Sequence, residues 1–358
     1  MAVLSTNNPT LLDLAKISDP NGNIATVVEI LNETNEILDD MTWMEGNLVT
    51  GHRTTVRTGL PAPTWRKLYG GVQPNKGTTA QITDNTGMLE AYAEVDKALA
   101  DLNGNSASWR LQEDKAHIEG INQELANTIF YGNEGTQPEA FTGFAPRFNS
   151  LSSPNAENII VGGGSGTDNS SIWLVVWGPN TVHGIVPKGS TAGLQVTDKG
   201  QVTIENVDGA GGRMEAYRTH YRFDAGLTVR DWRYVVRIPN IDKSALLPDA
   251  STGANIPDLM VQAIERVPNL NAGRAVFYVP RGIKTMLRRQ LIVATKNSTL
   301  TQENISGKHV MMFDGIPVKR VDALAADEAL EAGHVGDGVA AARPEHLERL
   351  AFSTHQHH

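Results

Sequence analysis

Apolar positions recur along this chain with a helical period at first, then alternate, then return to the helical period. Leu11, Leu12, Leu14 and Ile17 follow Thr10, with Asp13 three residues on, a capping signature that predicts a helix ending at the Asp-Pro-Asn-Gly break of 19–22. Ile24, Val27, Val28, Leu31 and Leu38 then predict a second helical stretch to Asp40. From there the pattern changes. Arg53–Arg57 and Thr78–Thr83 are β-branched and alternating, and they flank a loop holding Pro61, Pro63, Gly70, Gly71, Pro74 and Gly77. This reads as a long two-stranded excursion with little apolar filling, which is marginal in water and needs a partner surface.

The strongest helical signal runs from Ser106 to Tyr131. Leu111, Ile118, Ile121, Leu125 and Ile129 fall on one stripe and are expected to form the core face, with Gly132 at the C′ position. At 1.5 Å per residue such a helix is a rod of about 39 Å. Residues 149–171 form a Ser/Asn/Gly-rich loop. Strands are predicted at 171–182, 230–238 and 274–279, and helices at 257–267, with Pro257 at the first turn, and at 282–293. His309–Phe313 and Ile316–Val321 flank Asp314-Gly315, a hairpin signal, because Asp-Gly supplies the positive φ angles of a type I′ turn. The tail from Asp322 onward, rich in Ala, Gly and acid, reads as loosely held. No fixed-period repeat is present.

Composition narrows the class. The 358 residues are 40% hydrophobic and 20% charged, enough for a sizeable core and a prior of about two domains. A net charge of −9 argues against a protein whose main task is coating nucleic acid. The absence of cysteine excludes disulfide frameworks, thiolate catalysis and Cys-ligated zinc, and suits a reducing compartment. The longest apolar run, Ile172–Trp177, is far too short to span a bilayer, and the start shows no secretory signal.

Charge is distributed in blocks. Residues 1–51 carry eight acids (Asp13, Asp19, Glu29, Glu33, Glu36, Asp39, Asp40 and Glu45) against Lys16 alone. Residues 52–83 carry Arg53, Arg57, Arg66, Lys67 and Lys76 and no acid. Residues 266–302 are again purely basic, with Arg281, Lys284 and Arg288 at helical spacing, and 322–338 purely acidic. One such block is a solvated face. Four alternating blocks point to surfaces that must meet, within or between copies.

Little in the chain carries catalytic chemistry, and no catalytic, cofactor or metal residues are assigned. Gly162–Gly166 lacks the Lys-Ser/Thr of a phosphate loop, and Gly336-x-Gly338-x-x-Ala341 lies in an acidic tail with no preceding strand. Gly189-Ser-Thr-Ala-Gly193 puts Thr191 where a nucleophilic serine belongs, and reads as a turn. Asp101-x-Asn103-Gly104 lacks the distal Glu of a calcium loop. His355, His357 and His358 read as a mobile tail.

The order of parts resembles the major capsid proteins of tailed bacteriophages with the Hong Kong 97-type fold, over residues 20–325. The arm matches Ile24–Asp40, the extended loop Gly51–Asp84, the spine helix Ser106–Tyr131, and the closing hairpin Phe313-Asp-Gly-Ile-Pro-Val318 followed by Lys-Arg-Val-Asp322. Wording is closest to a podophage-type subgroup, through Gly51-His-Arg-Thr-Thr-Val-Arg-Thr-Gly-Leu-Pro61 and Glu90-Ala-Tyr-Ala-Glu-Val-Asp-Lys97. The resemblance implies an α+β fold divided into an N-terminal arm (1–50), an extended β-loop (51–85), a peripheral domain with the spine (86–150), an axial domain with returning strands (151–308), and a closing hairpin with acidic tail (309–358).

It further implies a non-enzymatic subunit that forms pentamers and hexamers of an icosahedral shell around double-stranded DNA. The DNA is met by non-specific contact, and no membrane is involved. Because the chain begins almost directly with the arm, a separate scaffolding protein is expected, with a portal and a cement protein as further partners and assembly in the host cytoplasm. Arg53, Arg57, Trp65, Arg66 and Lys67 of the extended loop are the expected intersubunit contacts, since aromatic and Arg residues dominate interface hot spots. Lys67 and Lys76 give no basis for cross-links. An encapsulin-like compartment shell enclosing cargo enzymes and an α/β enzyme using the 162–166 loop are the alternatives.

Overall fold

The most apolar run of the sequence becomes the middle of a sheet in the computed structural model, which describes residues 33, 35–101, 106–205, 211–293, 300–305, 308–325 and 327–328. Strand β4 (Asn169–Trp177) is buried at every position. On one side it pairs with β8 (Val235–Asp242) and on the other with β9 (Arg274–Val279), both antiparallel. Successive strand residues face opposite ways, so β4 serves two cores at once. Ile172, Leu174 and Val176 pack with α4 (Ile256–Arg266), α5 (Arg281–Val293) and the closing hairpin. Trp173, Val175 and Trp177 pack with Leu125, Ile129 and Phe130 of α3 (Ser106–Tyr131) and with Phe141, Phe144 and Phe148.

The remaining strands extend this sheet to twelve. β9 continues through β12 (Ile316–Arg320) and β11 (Lys308–Phe313) to β10 (Leu300–Ile305). On the other side β4 leads to β5 (Val182–Val186), β7 (Arg213–Val229), β3 (Thr78–Asp96) and β2 (Gly51–Gly59). β1 (Trp43–Glu45) joins β5 in parallel, and β6 (Gln195–Glu205) runs antiparallel to β7. Two short helices, α1 (Ile37–Asp40) and α2 (Lys97–Ala100), complete the elements used below.

Several sequence expectations are corrected. The strand read at 171–182 is two strands, because Thr181 Oγ1 donates to Val176 O at 2.7 Å and closes a turn at Gly178. The strand read from Arg230 begins only at Val235, after a turn of 3₁₀ helix at Trp232–Tyr234. β3 reaches Asp96, well past Thr83, and the β6–β7 hairpin was not expected, since its exposed strand is largely Thr, Gln and charge. The spine stripe is shorter than predicted. Ile121, Leu125 and Ile129 are at most 7% exposed, whereas Leu111 and Ile118 are 57% and 40% exposed. Gly132 does not adopt positive φ; it is needed for close approach, since a Cβ there would stand 2.5 Å from Phe141 O.

The beginning of the tail is not loose. Val321, Leu324 and Glu328 are buried. Asp314 (φ 49°) and Gly315 (φ 78°) adopt the conformation a type I′ turn demands. The helix read at 10–17, most of that at 24–40, Asn103-Gly104, Gly336–Ala341 and the terminal histidines lie outside the described residues.

Candidate functional site

An extended ribbon leaves the body of the chain at Gly51. β2 and the first part of β3 pair antiparallel from Gly51 opposite Asn85 to Gly59 opposite Thr78. Between them the tip carries Leu60, Trp65, Leu68, Tyr69 and Val72, all exposed, with Trp65 and Tyr69 at 104%. The contrast with Trp173 and Trp177, buried to 1% or less, is the contrast between an unfinished surface and a core. Arg53, Arg57, Arg66, Lys67 and Lys76 are exposed and form no ion pair with a described residue. Arg53 is held by its backbone, since Asn47 Oδ1 accepts its N–H at 2.7 Å and Asn47 Nδ2 donates to its carbonyl at 2.8 Å. The sequence-predicted contact residues therefore lie together on one projecting ribbon, all exposed, and Arg53 Nε donates across it to Thr83 Oγ1 at 3.3 Å.

The root of that ribbon is narrow. Gly46 and Gly51 approach so closely that a Cβ on Gly46 would stand 2.5 Å from Gly51 O. Behind them Asp84 is buried and paired with Arg147 at 2.8 Å. Arg147 also donates to the carbonyls of Thr142, Gly143 and Leu227, so all three nitrogens of its guanidinium are engaged. His52 faces His183 across the same root, with ring centroids 5.8 Å apart.

The charge blocks meet inside the chain. Asp40, whose side chain is fully buried, accepts from Lys319 Nζ at 2.7 Å, Arg274 Nη2 at 2.8 Å and the Tyr278 hydroxyl at 3.0 Å. Glu36 Oε1 accepts from Arg320 N. The acidic arm is thus neutralised in part by the late basic residues of the same copy, and Asp40 is not available to a neighbour's loop. The basic face expected on α5 is likewise interrupted. Arg281 and Arg288 are exposed, but Lys284 is half-buried, and burial is the largest cause of its lowered pKa, with Arg288 and Lys319 acting the same way and Glu36 opposing them.

The weak motifs are absorbed by packing. Gly162 N and Gly164 N donate to Pro239 O and Asn240 O at 2.8 Å each, so those amides of the glycine loop bind β8 and not a phosphate. In the 189–193 turn, Ser190 Oγ donates to Asp224 at 3.0 Å, and Gly189 N donates to Glu45 at 2.8 Å. Among the described residues no cluster of three metal-ligating side chains is present, and no helix is long and apolar enough to cross a membrane. Sequence reasoning missed Asp40, Arg147 and His183. Only Asp40 carried a signal, its place in an acid block, whereas the carboxylate that pairs with Arg147 and the ring that faces His183 are each 63 or more residues away along the chain.

Residues 19–331 match the family model of the GP7 major capsid protein. The chain is similar to the near-atomic-resolution structure of bacteriophage Epsilon15, with 41% identity and a TM-score of 0.73 over 93% of this chain and all of that one. The bacteriophage JBD30 capsid matches with 10% identity and a TM-score of 0.46 over 82% of this chain and 93% of that one. A Synechococcus elongatus encapsulin matches with 9% identity and a TM-score of 0.42 over 64% of this chain and 94% of its own. Neither of the last two likenesses is close enough to carry an argument. No curated protein matches.

Proposed function

The chain belongs to the GP7 major capsid protein family, the shell-forming subunits of a tailed phage, and from that premise we propose that its extended ribbon is the element by which one copy holds the next. The single observation behind this reading is the tip. Trp65, Leu68 and Tyr69 are each more than 80% exposed beside Arg66 and Lys67, in a protein whose other large aromatics are mostly buried. Apolar and aromatic surface left in water is favourable to cover, and aromatic and Arg residues carry most interface energy. Arg53 and Arg57 extend the contact toward the root, where each exposed ion pair with a neighbour contributes about 0.2–1 kcal/mol. Repeated around a closed shell of heterologous contacts, such increments add.

The same reading divides the chain into arm, ribbon, peripheral part with spine, axial part and closing hairpin, and groups the copies as pentamers and hexamers assembled in the host cytoplasm. A separate scaffolding protein, a portal and a cement protein complete the partners, and contact with packaged duplex DNA is non-specific. The subunit acts by assembly and not by catalysis.

Because the chain has no cysteine, the ribbon is testable by one introduced thiol. Leu68→Cys reacts freely with a maleimide in the dissociated subunit, and in closed particles it is protected at least tenfold. Equal reactivity in the two states would place the tip in solvent and refute the contact.

A further inference from the structure

The buried contact at the root of the ribbon is made by polar groups that lack partners. His183 is fully buried, and neither of its ring nitrogens has a protein hydrogen-bond partner. The same is true of Nδ1 of His52, Oγ1 of Thr54, Oδ2 of Asp84 and Oγ1 of Thr228. Strand register assembles the cluster, since His52 lies opposite Asp84 in the β2–β3 pair and His183 opposite Thr228 in the β5–β7 pair. Beyond it, nearly every ribbon residue from Thr55 to Thr83 is exposed, so the ribbon is attached through this cluster, the β3 backbone and the Asn47 bonds to the Arg53 backbone. Buried polar groups without partners oppose burial, and water satisfies them as soon as the root opens.

We propose that the His52–His183 contact is a proton-operated joint, which holds the root of the ribbon against β5 while both rings are neutral and releases it when either ring takes up a proton.

The one carboxylate that favours a proton on His52 is Asp84, and it is already committed to an arginine. β3 presents Asp84, whose charge Arg147 already matches at 2.8 Å. The segment after β7 presents Arg230, which donates to Pro179 O at 2.9 Å and adds a standing positive charge. Asp224 of β7 is held by Arg222 and Ser190, and Glu45 of β1 by Gly189 N. β4 ends beside the joint in Trp177, which does not titrate. The Gly178 carbonyl favours a proton on His183 but stands outside hydrogen-bond geometry.

Burial first, then His52 and Arg230, lowers the pKa of His183 to about 4. Burial and Arg230 also lower that of His52, with Asp84 opposing. An open, hydrated ring titrates near 6.5. The closed joint is therefore fully favoured above pH 6.5 and loses its advantage as pH falls toward 4. Through His183 alone, the open-to-closed ratio rises roughly 30-fold between pH 7.5 and 5.

Hydrogen exchange on the full-length chain tests this, corrected for intrinsic exchange and compared at pH 7.5 and 5. Opening at the amides of 51–56 and 80–86 is expected to rise roughly 30-fold, while the β4–β8 amides do not follow. In His183→Phe, and in His183→Asn should the first not fold, the acid response at the root falls well below the wild-type rise, to the share that His52 alone supplies, while protection at pH 7.5 remains. Root amides that track β4–β8 at both pH values, or a wild-type acid response in either variant, would overturn the joint.

Discussion

Arg237 and Glu328, 91 residues apart in sequence, form an ion pair of 2.9 Å in which neither side chain is more than 5% exposed. Glu328 Oε1 also accepts from the Tyr131 hydroxyl at 2.6 Å, and Oε2 from Ser171 Oγ, while Arg237 Nη1 donates to Phe148 O at 2.7 Å. The end of the spine helix, β4, β8 and the strap after the closing hairpin are thus tied at one carboxylate. A buried pair gives little net stability over an apolar replacement, but removing one member strands the other charge.

Glu328→Gln is accordingly expected to lower the unfolding free energy of the subunit by about 3–5 kcal/mol, and Arg237→Met with Glu328→Leu to recover most of that loss. Urea unfolding of the dissociated subunit measures both.

The spine separates two kinds of apolar residue. Leu125 is 4% exposed, and Leu125→Ala should cost about 2–5 kcal/mol. Leu111 is 57% exposed, and Leu111→Ala should change subunit stability by about 0.5 kcal/mol or less. Chemical denaturation of the two variants side by side distinguishes a core face from a free one.

Alkali should unlock the body through its tyrosines. Burial, then the neighbouring carboxylates Glu328 and Asp40, raises the pKa of Tyr131 and Tyr278 far above the usual phenol range. The unfolded chain ionises these phenols near pH 10 while the folded chain keeps them neutral. Stability from each is present in full below pH 10 and lost above it, by about 1.4 kcal/mol per pH unit. Phenolate absorbance followed against pH should show these two groups ionising only together with unfolding; ionisation in the folded subunit near pH 10 would refute it.

What was legible in the sequence was local. The Asp314-Gly315 turn and the Ser106–Tyr131 helix follow from backbone preference and period, and both form where predicted. The full stripe did not become core, because only the C-terminal half of the helix lies over the aromatic layer of Phe141, Phe144 and Trp173. The β6–β7 hairpin was illegible because β6 buries no residue, so no alternation marks it. The strap reads as loose because Ala and acid give no sign that Glu328 meets Arg237 across 91 residues. Likewise the ribbon is visible in its Pro and Gly residues, while the His52–His183 joint at its root depends on a side-chain contact between β2 and β5, strands 131 residues apart at these positions that no short-range pattern brings together.

Particle closure in a charge-reversed variant tests most directly whether one copy holds the next through its ribbon. Arg53→Glu with Arg57→Glu is expected to leave a folded subunit with a near-unchanged circular dichroism spectrum, because both side chains are exposed and the one bond lost, from Arg53 Nε to Thr83 Oγ1, lies at the surface of the ribbon. Negative-stain microscopy across a salt series should then show closed particles lost, or falling apart at salt concentrations that leave the parent shells intact. Closed particles in parental yield and with parental salt resistance would contradict the account.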